Sequence, residues 1–278
     1  MANLFEGLEN LGLSGAGNMK LYEQEKEAKA ATAAKEAVKE ASEEDYIFDK
    51  SFKCPVCDKT FTAKATKTGK AKSTGFDPDL RPHYQGIDTL KYDAISCEKC
   101  GYSAVTRYFA VNPTSGQIKL IREGLKSFSG LPKTEGIYTY DDAITRHKLA
   151  LACCVMKHAK ASEKAYTCLK IAWLLRGKAE EGAAAGVPEA EIKALKEQEL
   201  EYISGAYDGF NEAFSHENFP MCGMDENTVT FLCANLAHEV HKDDDAMRLL
   251  ARIITARDVN SRIKDKANEL KEQIKAGK

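Results

Sequence analysis

The sequence contains no run approaching the roughly 18 apolar residues that a membrane span needs, so no segment reads as a transmembrane helix. Its first thirteen residues hold Glu6 and Glu9 but no basic residue. They lead into Gly12, Gly15 and Gly17, which argues against a secretion signal. Net charge is nearly absent as well. A formal −2 over 278 residues leaves no bulk field to draw in nucleic acid or anionic lipid, so any such partner must be recruited by a local patch. What is present is enough apolar material, 43 % of residues, to build a core, which excludes global disorder. There are also nine cysteines, an odd count. With no secretion route evident they are expected in a reducing cytoplasm, where paired cysteines mean metal or redox chemistry more often than disulfides.

Composition divides the chain into four regions. Residues 1–18 are a short apolar stretch, with Leu4, Phe5, Leu8 and Leu11 at the spacing of one helical face. Such a face is costly in water, and a groove in the helical half, of this chain or a neighbour, is its expected berth, with a disordered tail the alternative. Residues 19–45 are rich in Ala, Glu and Lys, with Leu21, Tyr22 and Val38 the only sizeable apolar groups. That gives helix propensity without a stripe to bury, as expected of a solvated helical linker. Residues 46–112 carry short alternating or aromatic runs such as Phe61–Ala65 and Tyr92–Ile95, separated by turn residues, and both Cys-x-x-Cys pairs.

Residues 113–278 read as helical. Ile118, Ile121 and Leu125 suit a connecting helix. Ile144, His147, Leu151, Cys154 and Val155 give one stripe, and Ala165, Cys168, Leu169, Ala172 and Leu175 the next. Gly177, Gly182 and Gly186 are read as breaks, after which Pro188 suits a first helical turn. A long helix follows with Ile192, Leu195, Ile203, Tyr207, Phe210 and Phe214 inward. Asp225 and Asp243 are the expected N-caps of two more helices, and Ile263, Ala267 and Leu270 mark a last one. The stretches His147–Arg176 and Thr230–Thr255 both read as helix–turn–helix units with a small residue, Ala165 or Ala246, early in the second helix. That pattern suggests tetratricopeptide-like pairing, with ordinary helical bundling the alternative because the consensus aromatic and glycine positions are mostly absent. The expected fold class is therefore α+β: a small zinc-ribbon-like β domain followed by an all-α, tetratricopeptide-like domain.

The chemistry concentrates in Cys54-Pro55-Val56-Cys57 and Cys97-Glu98-Lys99-Cys100. Structural zinc takes four ligands in a tetrahedron, and thiolates suit this borderline-soft ion. Each Cys-x-x-Cys wraps two sulfurs round the ion in a turn that ends with a left-handed residue. Gly101 supplies that residue in one pair, and Asp58 in the other is among the few side chains that tolerate it. A thioredoxin-like redox centre would use one pair, not two. One structural zinc held by Cys54, Cys57, Cys97 and Cys100 is expected. His83, which lies between the pairs, is the spare candidate ligand. Four thiolates close the coordination shell, so catalysis at the metal is not expected.

The run Cys54-Pro55-Val56-Cys57-Asp58-Lys59-Thr60-Phe61 is followed by Asp77-Pro78-Asp79-Leu80-Arg81-Pro82-His83-Tyr84 and by Cys97-Glu98-Lys99-Cys100-Gly101-Tyr102. Together with Leu149-Ala150-Leu151 and Ala172-Trp173-Leu174-Leu175-Arg176, this resembles the bacterial family catalogued as domain of unknown function 2225. The resemblance implies a zinc-binding N-terminal module joined to tetratricopeptide-like helices, and it implies no particular reaction.

Three functional readings compete. The first is a protein-interaction module with a protein or peptide partner. The second is a nucleic-acid binder using the arm Lys64, Lys67, Lys70 and Lys72, a weaker reading because lysines routinely decorate solvated hairpins. The third is an enzyme with a site at the Asp77–Tyr84 run, whose Asp77, Asp79, Arg81 and Tyr84 would bind substrate. Bracing of the ribbon by the same groups is preferred over that. Trp173 and Arg176 are packing residues in the plain reading and a possible binding pair in the sharper one. His238-Glu239-Val240-His241 lacks the four-residue histidine spacing of a zinc-protease helix. Cys153, Cys154, Cys168, Cys222 and Cys233 are expected to be core or near-core thiols.

Overall fold

A computed structural model describes residues 42–132, 134 and 136–277. The expectations for residues 1–18 and for most of the linker lie outside the described residues. Glu43–Tyr46 forms a 3₁₀ turn whose Glu43 carboxylate accepts from the Tyr92 hydroxyl at 2.7 Å and pairs with Lys91.

Three antiparallel hairpins come next. β1 (Ile47–Lys53) pairs with β2 (Thr60–Thr66), β3 (Ser73–Phe76) with β4 (Pro82–Tyr84), and β5 (Ala94–Ser96) with β6 (Ser103–Val105). The register of the first closes at Lys53↔Thr60 and that of the third at Ser96↔Ser103, so each Cys-x-x-Cys occupies a hairpin turn. A lone two-stranded ladder is marginal in water and needs a covering layer. Here β5 and β6 are buried throughout. Phe52, Phe61 and Phe109 meet with ring centroids 5.8–6.0 Å apart, and Tyr102 lies 5.5 Å from Phe109. This aromatic core also takes in Ile121 and Cys153 from the helices that follow.

Those helices are α1 (Thr106–Phe109), α2 (Ser115–Gly124), α3 (Tyr140–Met156), α4 (Ala161–Ala184), α5 (Glu189–His216), α6 (Glu226–Glu239), α7 (Asp243–Thr255) and α8 (Ser261–Ala276). Capping boxes start α2 and α3: Thr114 with Gln117, and Thr139 with Asp142. The α+β class holds, with small hairpins first and a mostly helical remainder. The α3–α4 and α6–α7 pairs match the two helix–turn–helix stretches. Ala165 is buried where α4 meets α5, and a Cβ added at Gly209 would come within 2.9 Å of its methyl. No helix among the described residues is long and apolar enough to cross a membrane.

Two local expectations need correcting. Gly177 and Gly182 do not break the chain, because α4 runs through both and ends only before Gly186, whose φ is +78°. A packing contact explains Gly177: a Cβ there would meet the Tyr140 hydroxyl at 2.6 Å. Tertiary contact has overridden the helix-breaking tendency of glycine, which amounts to only ~1 kcal/mol. Asp225 does cap α6, accepting from Thr228 N–H at 2.7 Å, but Asp243 is the first residue of α7 rather than its cap. Its carboxylate faces His238 Nδ1 at 2.7 Å instead.

Candidate metal centre

The two hairpin turns bring Cys54, Cys57, Cys97 and Cys100 together, with all four sulfurs within 4.8 Å of one another. The turns share one hydrogen-bond plan. In the first, Cys54 N–H donates to Lys59 O and Asp58 N–H to Cys54 O; in the second, Cys97 N–H donates to Tyr102 O and Gly101 N–H to Cys97 O. The residue after each second cysteine is left-handed, Asp58 at φ +62° and Gly101 at +79°. Val56 N–H points at the Cys54 sulfur from 3.4 Å. Across the turns, Cys54 Sγ lies 3.7 Å from Cys100 Sγ, and Cys57 Sγ lies 3.7 Å from Cys97 Sγ. Cys54 and Cys97 are fully buried, while Cys57 and Cys100 are partly exposed.

Four sulfurs this close cannot all ionise without a cation. Hydrogen bonding with Cys100 and then Cys54 holds the Cys97 thiol far below its ordinary range. The Cys100 thiol is pushed far up by its contacts with Cys54 and Cys97 and by burial. A divalent cation among them would replace this sharing of protons. The cluster could therefore hold a metal ion. His83 is not part of it: its Nε2 sits 2.6 Å from Asp77 Oδ1.

Helices brace the turns. Arg122 of α2 donates from Nε to Val56 O at 3.1 Å and from its terminal nitrogen to the same carbonyl. Cys153 of α3 accepts from Ser103 N–H at 3.4 Å, and burial pushes its thiol up to about 11, so it stays protonated. Phe128 covers the second turn. A Cβ on Gly101 would lie 2.7 Å from the Phe128 ring, and the residue is left-handed as well. Gly101→Ala is thus expected to lower stability by about 2 kcal/mol or more, read by urea denaturation. Gly69→Ala, where φ is +74° but nothing lies within 4 Å, should cost about 1 kcal/mol. Equal losses at the two positions would deny the ring contact any role.

The other sequence candidates come together elsewhere, against α4. The β3–β4 turn is closed by Asp77 N–H to Arg81 O, with Leu80 forced to φ +72°. It presents Asp79, only 1 % exposed, to the Trp173 indole N–H at 2.8 Å and to Arg176 at 3.0 Å. Arg176 also reaches Glu199 at 2.6 Å, Glu239 at 3.1 Å and Asp77 at 3.4 Å. Arg81, itself buried, pairs with Glu180 at 2.9 Å and lies 3.9 Å from Asp88, which accepts from the Tyr140 hydroxyl. Asp77, Asp79, Arg81, Trp173 and Arg176 thus form one ionic joint between a hairpin and three helices. Tyr84 stands apart, half-buried beside Tyr46, Ile87 and Tyr92. Glu180 and Glu199 were not found by sequence reasoning, and Glu239 was met only within His238-Glu239-Val240-His241, read as an exposed helix end, whereas it is partly buried against Arg176. A carboxylate at an inward helical position (Glu199 on α5) is the only signal that could have pointed to them.

Carboxylates outnumber the guanidinium groups in this joint. Burial, then the charge of Asp79, raises the Glu239 carboxyl from its ordinary 4.5 to about 7, with Arg176 opposing. Burial likewise raises Glu199. A carboxyl raised on folding stabilises the native state below its unfolded pKa and loses that contribution as pH climbs through the folded value. Glu239→Gln should therefore gain on the wild type between pH 4.5 and about 7, by on the order of 2 kcal/mol. Chemical denaturation at pH 5 and pH 8 checks this, and a stability difference independent of pH would contradict it. The variant comparison is needed because buried His147, lowered to about 4 by burial, gives the wild type an opposite slope below pH 6.5.

The family model for an uncharacterized protein conserved in bacteria (DUF2225) matches residues 47–274, the two cysteine turns and the helices together. No curated protein and no solved structure matches the chain. With that match extending over most of its length, the chain belongs to the DUF2225 family of uncharacterized bacterial proteins.

Proposed function

We propose that the four cysteines hold one structural zinc ion and that the protein is an interaction module for a protein or peptide partner. A tetrahedron with zinc–sulfur bonds of about 2.3 Å has edges of about 3.8 Å, and the two cross-turn sulfur separations are 3.7 Å. All four ligands come from the protein, so the ion would supply a fixed crosslink and no open position for substrate. A reducing, cytoplasmic setting fits free thiols. The paired helices are read as tetratricopeptide-like, with Ala165 and Ala246 both buried early in the second helix of each pair.

The observation that carries the interaction reading is an open apolar groove of about 500 Å³ between the end of α4 and the start of α5. Val187, Ile192 and Leu195 line it, with Lys178, Glu181 and Glu191 at its rim. Apolar walls with charges of both signs outside suit the apolar face of an amphipathic peptide. The Asp77–Tyr84 run, in contrast, spends its charged groups on Arg176 and α4, which favours bracing over catalysis.

The test is affinity capture with the full chain, with and without nuclease, comparing wild type with Ala194→Arg, an exposed position in the groove. A partner retained after nuclease and lost with Ala194→Arg supports the reading. A partner released by nuclease, or one indifferent to the substitution, overturns it.

A further inference from the structure

A second cavity, of about 520 Å³, lies on another face, walled by the β1–β2 hairpin, the β3–β4 hairpin, the 3₁₀ turn Thr89–Tyr92 and α4. Its charge is one-sided: Lys50, Lys64, Lys67 and Lys170 line it against the single carboxylate of Asp93. That carboxylate is already engaged, because the buried Lys170 ammonium lies 2.6 Å from it on the cavity floor. Lys64 pairs outward with the exposed Asp49 at 2.8 Å. Lys50 has no carboxylate partner among the described residues and rests over the Phe52 ring, 5.3 Å from its centroid. Lys67 donates to the Asp45 carbonyl, a neutral acceptor. The basic arm seen in the sequence is therefore divided. Lys64 and Lys67 line this cavity, the Lys64 ammonium being turned to Asp49, whereas Lys70 and Lys72 do not line it, and Lys70 sits over Tyr46.

Two further properties narrow the ligand. The volume falls in the range of roughly 300–1,000 Å³ typical of small-molecule sites, and four lysines line one concavity, of which Lys50 and Lys67 have no carboxylate partner among the described residues. Phe52 and Tyr84 add half-buried rings to the wall, and Tyr84, whose ring is not in the Phe52–Phe61–Phe109 cluster, can stack on a flat group. Ammonium groups in a recess, with aromatic faces beside them, recognise phosphate oxygens on a molecule that also carries a planar ring. We propose that this cleft binds a phosphorylated small molecule of nucleotide size, with Lys50 and Lys67 taking the phosphate and the ring wall taking the planar part.

The site shares no residue with the α4–α5 groove, so it stands or falls separately from the interaction reading. Isothermal titration of the full chain with ADP and with inorganic pyrophosphate, at fixed ionic strength, tests it. Saturable one-to-one binding of ADP is expected, tighter than that of pyrophosphate. The double variant Lys50→Gln/Lys67→Gln should weaken it by about 100-fold, on the order of tenfold for each lost charge-assisted contact. Both lysines are exposed, so the melting temperature should not change. Lys193→Gln/Lys196→Gln on α5 should leave binding intact. No saturable binding of either probe, or binding indifferent to the Lys50/Lys67 pair, would overturn the proposal. So would affinity only for a long oligonucleotide that collapses with salt, since that is backbone binding by a charged surface.

Discussion

The full chain is expected to carry one zinc ion by elemental analysis, and Cys97→Ser should bind none and lose the hairpin half of the fold. Structural zinc contributes on the order of 10 kcal/mol in small sites, more than two-stranded ladders could supply for themselves. The damage should reach past the ribbon. Arg122 is anchored on Val56 and Cys153 on Ser103, so α2 and the C-terminal turn of α3 lose partners when the turns open. The helices from α4 onward, which supply most of a second hydrophobic core, should persist. Hydrogen exchange on wild type, chelator-treated protein and the variant reads this directly. A chain without metal, or turns that stay protected after chelation, would defeat the assignment.

The second large effect is expected at Arg176. Its guanidinium is the common partner of Asp77, Asp79, Glu199 and Glu239. Arg176→Met removes the charge and leaves Asp79 and Glu199 buried with their carboxylates uncompensated, a situation that costs about 3–5 kcal/mol. Arg176→Lys should recover only part of this, because one ammonium cannot present the planar fork to four carboxylates. Adding Asp79→Asn to Arg176→Met should restore some stability, since it removes one of the stranded charges. Trp173 N–H would keep an acceptor in the asparagine side-chain oxygen. The midpoint of urea unfolding measures all three. If Arg176→Met shifts it no more than an ordinary surface substitution does, the joint is not structural.

Much of the four-cysteine cluster was legible because its signals are local. A Cys-x-x-Cys turn needs a left-handed residue just after it, so Asp58 and Gly101 declared the two turns before any contact was known. Helices α2 to α8 were equally readable, since burial of one face imposes a 3.6-residue period on the chain. Helix interiors were read less well where a single glycine was weighed alone. At Gly177 the Tyr140 ring, not the local sequence, decides what the backbone does.

The sequence by itself determined the α+β class, the two thiol turns and the helical stripes, because each depends on residues a few positions apart and on a repeating period. Only the tertiary structure decided that Asp77, Asp79, Arg81, Trp173 and Arg176 form one joint completed by Glu180, Glu199 and Glu239. It alone brought Lys170 of α4 under the lysines of the first hairpin. Charged groups pair wherever burial brings them close, across about a hundred residues of chain here. Coulomb attraction in a low-dielectric interior leaves no periodic trace in the sequence from which such a pairing could be read.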